Sequence, residues 1–92
     1  MTRADRITHK LNQALAPERL SVIDESADHA GHAGARPQGE THYRVNVVAA
    51  AFEGLTRVQR QRLVYDLLGD EFKSGLHALA LATITPAEAE PS

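Results

Sequence analysis

The chain has 92 residues, a formal charge of −2 and 42% hydrophobic residues, a length that allows one domain burying about 60–65% of its unfolded surface and excludes two. Two Tyr, two Phe and no Trp leave a core of Leu, Val, Ile and Ala without room for a deep catalytic cleft, and a pI near 6.2 argues against the broadly basic surface of a dedicated nucleic-acid binder. The absence of Cys excludes disulfides, a thiol nucleophile and any thiolate metal ligand from this chain, so a soft metal centre needs sulfur from elsewhere.

Charged residues at Arg3, Asp5 and Arg6 with no apolar run behind them, and no later stretch of about 20 apolar residues, predict a soluble cytoplasmic protein without a membrane segment. Thr2 and Asp5 form a capping box, and Ile7, Leu11 and Leu15 recur every four residues, predicting a helix over about 3–15 that Pro17 ends. Leu20 and Val22 alternate with polar neighbours as a short strand. Residues 25–40 contain three Gly, one Pro and no large apolar side chain, which predicts a flexible loop pinned to no core. From Thr41 to Ala50, Tyr43, Val45, Val47 and Ala49 face one way and His42, Arg44 and Asn46 the other, with Val48 suggesting cover on both faces at the far end. Thr56 and Gln59 repeat the capping box ahead of one long helix, about 57–73, which Ser74-Gly75 closes. The small apolar run from Ala78 to Ile84 reads as a strand with both faces covered or one packed under a helix. Pro86 stops the fold, giving a domain over 1–86 and a disordered tail over 87–92.

The order helix, strand, loop, strand, turn, helix, strand describes an α+β fold in which three strands form a mixed sheet and the helices lie on one face. The first two strands are expected to be antiparallel. The last two are joined through a helix and are expected to be parallel, with a right-handed crossover.

Five histidines carry the main chemical interest. His9 lies off the apolar stripe of the first helix and reads as a surface residue. His29 and His32 sit in the loop as His-Ala-Gly-His, where both imidazoles can reach one ion, although two ligands are too few for a closed Zn²⁺ or Ni²⁺ site. His42 opens the second strand opposite the core face, where a structural hydrogen bond or plain exposure is the default. His77 stands between the helix-ending Ser74-Gly75 and a strand, a position that suits a cap for the helix C-terminus and a preorganised ligand equally.

Enzyme signatures are lacking: there is no nucleophile elbow, phosphate loop or His-Glu-x-x-His pair. Asp70 and Glu71 read as solvated charges at the end of an exposed helix. Arg57, Arg60 and Arg62 form the one basic cluster, readable as a phosphate-facing helix or as an ordinary solvated face.

Three blocks taken together resemble the BolA family: Glu-Ser at 25–26 with Gly-Glu-Thr-His-Tyr-Arg-Val at 39–45, Phe-Glu-Gly-Leu-Thr…Arg-Gln-Arg-Leu-Val-Tyr at 52–65, and Gly-Leu-His-Ala-Leu-Ala-Leu at 75–81. The resemblance spans about residues 3–86. It implies an αββαβ arrangement like a class II KH domain, with a short extra helical turn near Phe52–Thr56. It also implies a non-enzymatic adaptor that binds a monothiol glutaredoxin and shares a [2Fe–2S] cluster, in which glutaredoxin and glutathione supply thiolates and this chain supplies nitrogen. No cluster is then expected in the isolated chain. His77 matches the family's C-terminal ligand position; His29 best matches the loop ligand, with His32 a close rival. Iron–sulfur clusters accept His in place of Cys, so the implied role agrees with a cysteine-free chain.

A DNA-binding regulator using the Arg57/Arg60/Arg62 helix is the alternative. It is weakened by Arg-Gln-Arg at 60–62, where the family often has Arg-His-Arg, and by the lack of a KH-type Gly-x-x-Gly loop next to that helix. Self-association of the apo chain as a homodimer stays open.

Overall fold

A computed structural model describes residues 1–26 and 41–90. Helix α1 (Arg3–Leu15) starts at Thr2, whose hydroxyl accepts the Asp5 N–H at 3.2 Å while the Asp5 carboxylate accepts the Thr2 N–H at 3.0 Å. This is the reciprocal cap expected from the sequence. Strands β1 (Arg19–Asp24), β2 (His42–Val48) and β3 (Ala78–Ile84) form one sheet in the order β1-β2-β3, antiparallel between the first two and parallel between the last two. The element order and strand directions match the expectation.

The helices cover one face of this sheet. Ile7, Leu11 and Leu15 of α1 pack with Tyr43, Val45 and Val47 of β2 and with Val64 and Leu68 from the second half of the chain. Leu20 and Val22 of β1 and Leu79 and Leu81 of β3 lie in register with the β2 core residues and pack against the same cluster. Along β3, Ala80 is exposed, so this strand has one face under a helix and the other open. Phe52, from the turn of 3-10 helix at Ala50–Phe52, is the largest fully buried side chain.

The expected long helix is divided. It forms α2 (Arg57–Leu67) and α3 (Gly69–Lys73), parted at Leu68-Gly69, where a glycine weakens helical continuity. The short second piece carries Glu71, which is only 3% exposed, contrary to its reading as a solvated charge. Three cations spaced along one side of α1 converge on its carboxylate: Arg3 at 2.9 Å, Arg6 at 3.0 Å and Lys10 at 2.7 Å. Burial alone would push the Glu71 pKa up, but hydrogen bonds and charge from Arg6 and Lys10 outweigh it and hold the carboxyl at about 2.

The chain also continues in order past residue 86, where a tail was expected. Thr85 and Glu88 form a third capping box around a single helical turn, α4 (Pro86–Ala89), with Pro86 in the first turn. Glu88 then reaches Arg60 of α2 at 2.7 Å. A side-chain ion pair therefore ties down a segment too short to hold a helix by itself.

Replacing Glu71 by Gln leaves three cations facing a neutral amide and should cost about 3 kcal/mol of unfolding free energy at pH 7. The folded-state pKa lies below the ordinary value of 4.5, so the stabilisation is complete above that value and is lost as pH falls toward about 2. Urea titrations at pH 7, 4 and 2.5 should show the gap between wild type and Glu71→Gln shrinking with acidification.

Candidate functional site

The turn that delivers His77 is built from α3. The Glu71 carbonyl accepts the Leu76 N–H at 2.9 Å and the Arg3 guanidinium at 3.0 Å, and Gly75 takes φ 130, a conformation that disfavours side chains with a Cβ. Leu76 then plugs into the core and His77 emerges exposed. The N–H groups of His77 and Ala78 both donate to the Thr41 carbonyl, at 2.8 and 3.1 Å, which starts the β2–β3 ladder. The backbone under His77 is therefore held from both sides. Among the described residues, no hydrogen bond engages its imidazole.

His42 adjoins it. The parallel register sets His42 opposite Ala78, and the two imidazole centroids stand 5.3 Å apart with a 49° tilt. Of the two defaults for His42, the structure gives the hydrogen-bonded one: the residue is 7% exposed and its Nδ1 lies 2.9 Å from Thr41 Oγ1.

Ser26, expected in an unpinned loop, is a buried anchor. Its N–H donates to Asp24 Oδ1 at 2.8 Å, and its hydroxyl oxygen accepts the N–H groups of Thr41 at 2.9 Å and His42 at 3.1 Å. Beside it, Glu25 extends the β1–β2 ladder through its N–H to the His42 carbonyl at 2.8 Å and pairs with Arg44 at 3.0 Å. His29 and His32 lie outside the described residues. The residues that flank their segment, Ser26 and Thr41, are bonded to each other, and Thr41 is bonded in turn to His77.

The arginines separate by role. Arg60 is 7% exposed and spends its guanidinium on the Leu55 carbonyl at 3.0 Å, the Thr83 carbonyl at 3.1 Å and Glu88. It is a structural residue with no surface to offer a phosphate, which corrects the reading of Arg57, Arg60 and Arg62 as one basic face. Arg57 and Arg62 are exposed. The hydrogen bond from Arg60, with help from the Thr85 N–H, holds the Glu88 carboxyl down at about 2.

A shallow groove of about 330 Å³ lies between α2 and β3, lined by Arg57, Gln61, Leu81, Thr83, Ile84 and Glu88 among others. It includes neither His42 nor His77. The His77 side chain is itself exposed. Among the described residues no three His, Asp or Glu side chains come together as a metal site. One uncommitted imidazole fits a metal group completed by ligands from a second molecule.

Sequence reasoning missed Ser26, Glu71 and the structural use of Arg60. The signals available were the Arg3, Arg6, Lys10 spacing, which puts three cations on one helix side, and the Thr85-Pro86-x-Glu88 cap.

The chain matches the family model described as BolA-like protein over residues 11–88. It is 50% identical over 91 residues to SufE-like protein 1, chloroplastic/mitochondrial, from Arabidopsis thaliana, which covers 95% of this chain and 24% of that protein. It is 48% identical over 88 residues to Protein BOLA1, chloroplastic, from the same plant, covering 94% of this chain and 55% of that protein. The chain thus spans about a quarter and about half of these relatives. Among solved structures, the BolA domain of SufE1 from Arabidopsis thaliana has a TM-score of 0.88 at 49% identity, covering 97% of this chain and 98% of that one. The solution structure of BolA1 from Mus musculus has a TM-score of 0.76 at 46% identity, covering 92% of this chain and 66% of that one. The plant relatives carry organelle names, which lend no support to the expected cytoplasmic placement. No helix among the described residues is long and apolar enough to cross a membrane.

Ser26→Ala should cost about 2 kcal/mol, because two buried backbone N–H groups lose their acceptor. Arg60→Ala should cost a similar amount through the buried Thr83 and Leu55 carbonyls, whereas Arg57→Ala and Arg62→Ala should stay within about 0.5 kcal/mol of wild type. Chemical denaturation of the four variants at neutral pH checks this ordering.

Proposed function

The chain belongs to the BolA-like protein family, and from that premise we propose that it is a non-enzymatic adaptor that binds a monothiol glutaredoxin and shares a [2Fe–2S] cluster with it. In this reading glutaredoxin and glutathione bring the thiolates, His77 brings one nitrogen, and His29 or His32 brings the second. The observation that carries the proposal is His77 itself, an exposed imidazole with no hydrogen bond among the described residues, fixed on a backbone bonded to Thr41. A chain without Cys has no thiolate to offer such a cluster, and imidazole is an accepted replacement.

The loop ligand is supported by chain geometry. His29 follows Ser26 by three residues, a span of about 10 Å at full extension, and Ser26 is held to Thr41, which is held to His77. His32 has twice that tether. When bound, the cluster supplies one-electron redox chemistry and transferable iron and sulfide; the protein supplies position and a nitrogen donor. Several relatives are named as BolA-like proteins, with no reaction in their names.

Titrating the chain into a glutathione-loaded, cluster-bearing monothiol glutaredoxin should change the visible absorption and circular dichroism of the cluster. His77→Ala should abolish the change, and one of His29→Ala and His32→Ala should weaken it at least ~10-fold, as removal of one metal ligand does. Unaltered spectra with His77→Ala would overturn the ligand assignment.

A further inference from the structure

We propose that His42 is the positioning residue for His77: its buried ring is the wall that holds the exposed imidazole in the orientation needed to donate to a metal group. The inference rests on the reading of His77 as a ligand and adds a residue to that site.

Three observations carry it. First, His42 is the one aromatic neighbour of His77 among the described residues, with centroids 5.3 Å apart and the rings tilted by 49°. An exposed imidazole without a hydrogen bond is otherwise free to change rotamer, and a ring packed on its side removes part of that freedom. Second, His42 is itself immobilised. It is 7% exposed, its N–H donates to Ser26 Oγ and its carbonyl accepts the Glu25 N–H, while the preceding carbonyl, of Thr41, takes the N–H groups of His77 and Ala78.

Third, a hydroxyl network holds its ring. Ser26 Oγ accepts N–H groups from Thr41 and His42, which fills both of its lone pairs. Thr41 Oγ1 lies 2.9 Å from His42 Nδ1, a hydrogen bond that ties the ring to the same network. Metal-binding histidines commonly depend on such outer residues for orientation. Here the outer residue acts through ring packing and is one step removed from the loop anchor Ser26.

The test uses the full chain as His42→Ala, His42→Phe and Thr41→Val, alone and with a glutathione-loaded monothiol glutaredoxin. In the apo protein, the His77 ring proton shifts in NMR spectra should move toward solvent-exposed values in His42→Ala and stay near wild type in His42→Phe, which keeps a packed ring. In the complex, the rate of cluster loss to a chelator should rise about 3- to 10-fold in His42→Ala, with altered visible circular dichroism, and return to near wild type in His42→Phe. Thr41→Val keeps both rings and removes the hydroxyl hold, so it should give a smaller change in the same direction even if His42→Ala proves too unstable to load.

Unmoved His77 shifts in His42→Ala would overturn the inference, as would equal losses in the Ala and Phe variants, which would make His42 a donor itself. If His77→Ala leaves the cluster spectra unchanged, the ligand reading fails. The apo shifts then still report on the ring contact by itself.

Discussion

A single carboxylate holds the two halves of the molecule in register. Glu71 is buried at the middle of a five-residue helix, and by itself its charge would be costly in that position. Arg3, Arg6 and Lys10 supply more positive charge than it needs, and its backbone carbonyl adds acceptor capacity for Arg3, Ser74 and the Leu76 N–H. The first helix, the helix break at Gly69 and the turn into β3 thus meet at one residue. The position of His77 depends on it, because the turn from Glu71 to Leu76 sets where the chain enters the sheet.

From there the sheet takes over. The Thr41 carbonyl receives two N–H groups from the start of β3, and the Thr41 N–H is received by Ser26 at the end of β1. One residue therefore joins the edge of the histidine site to the root of the segment that carries His29 and His32. A hydroxyl serves well at Ser26, since a side-chain oxygen can take two backbone donors where a strand carbonyl is out of reach. The result is a site made at the meeting of three chain segments. The groove between α2 and β3 is lined from the Arg57 side of α2 and includes neither His42 nor His77.

Much of this was legible in the residues. Periodicity located α1, β2 and β3, and capping boxes at Thr2 and Thr56 fixed two helix starts to the residue. What escaped were the tertiary uses of charge. Arg60 and Arg57, three apart on a helix, looked like one face, but Arg60 turns under the C-terminal turn because the Thr83 carbonyl and Glu88 accept from it. Glu71 looked solvated because its partners are more than sixty positions away in sequence. His42 sits on the polar side of β2 by alternation, yet the pairing of that central strand and the contacts with Ser26, Thr41 and His77 leave it buried. Local pattern reports which face a residue is on. Whether that face is covered depends on contacts that close over the whole chain.

The lack of cysteine gives the proposed role its chemical sense. A thiolate donor carries negative charge, whereas a neutral imidazole carries none, so replacing sulfur by nitrogen lowers the charge around a cluster and raises its reduction potential. A partner that offers only imidazoles therefore changes the character of a cluster it receives without competing for the thiolates that hold it. Such a donor must be neutral and presented at the surface in one orientation. Exposure provides access but costs order, and the structure offsets that cost locally: the His77 backbone is tied to Thr41, and the His77 ring leans on a buried His42 whose Nδ1 is occupied by the Thr41 hydroxyl. Access and orientation are thereby assigned to different residues, and the exposed one need not fold anything.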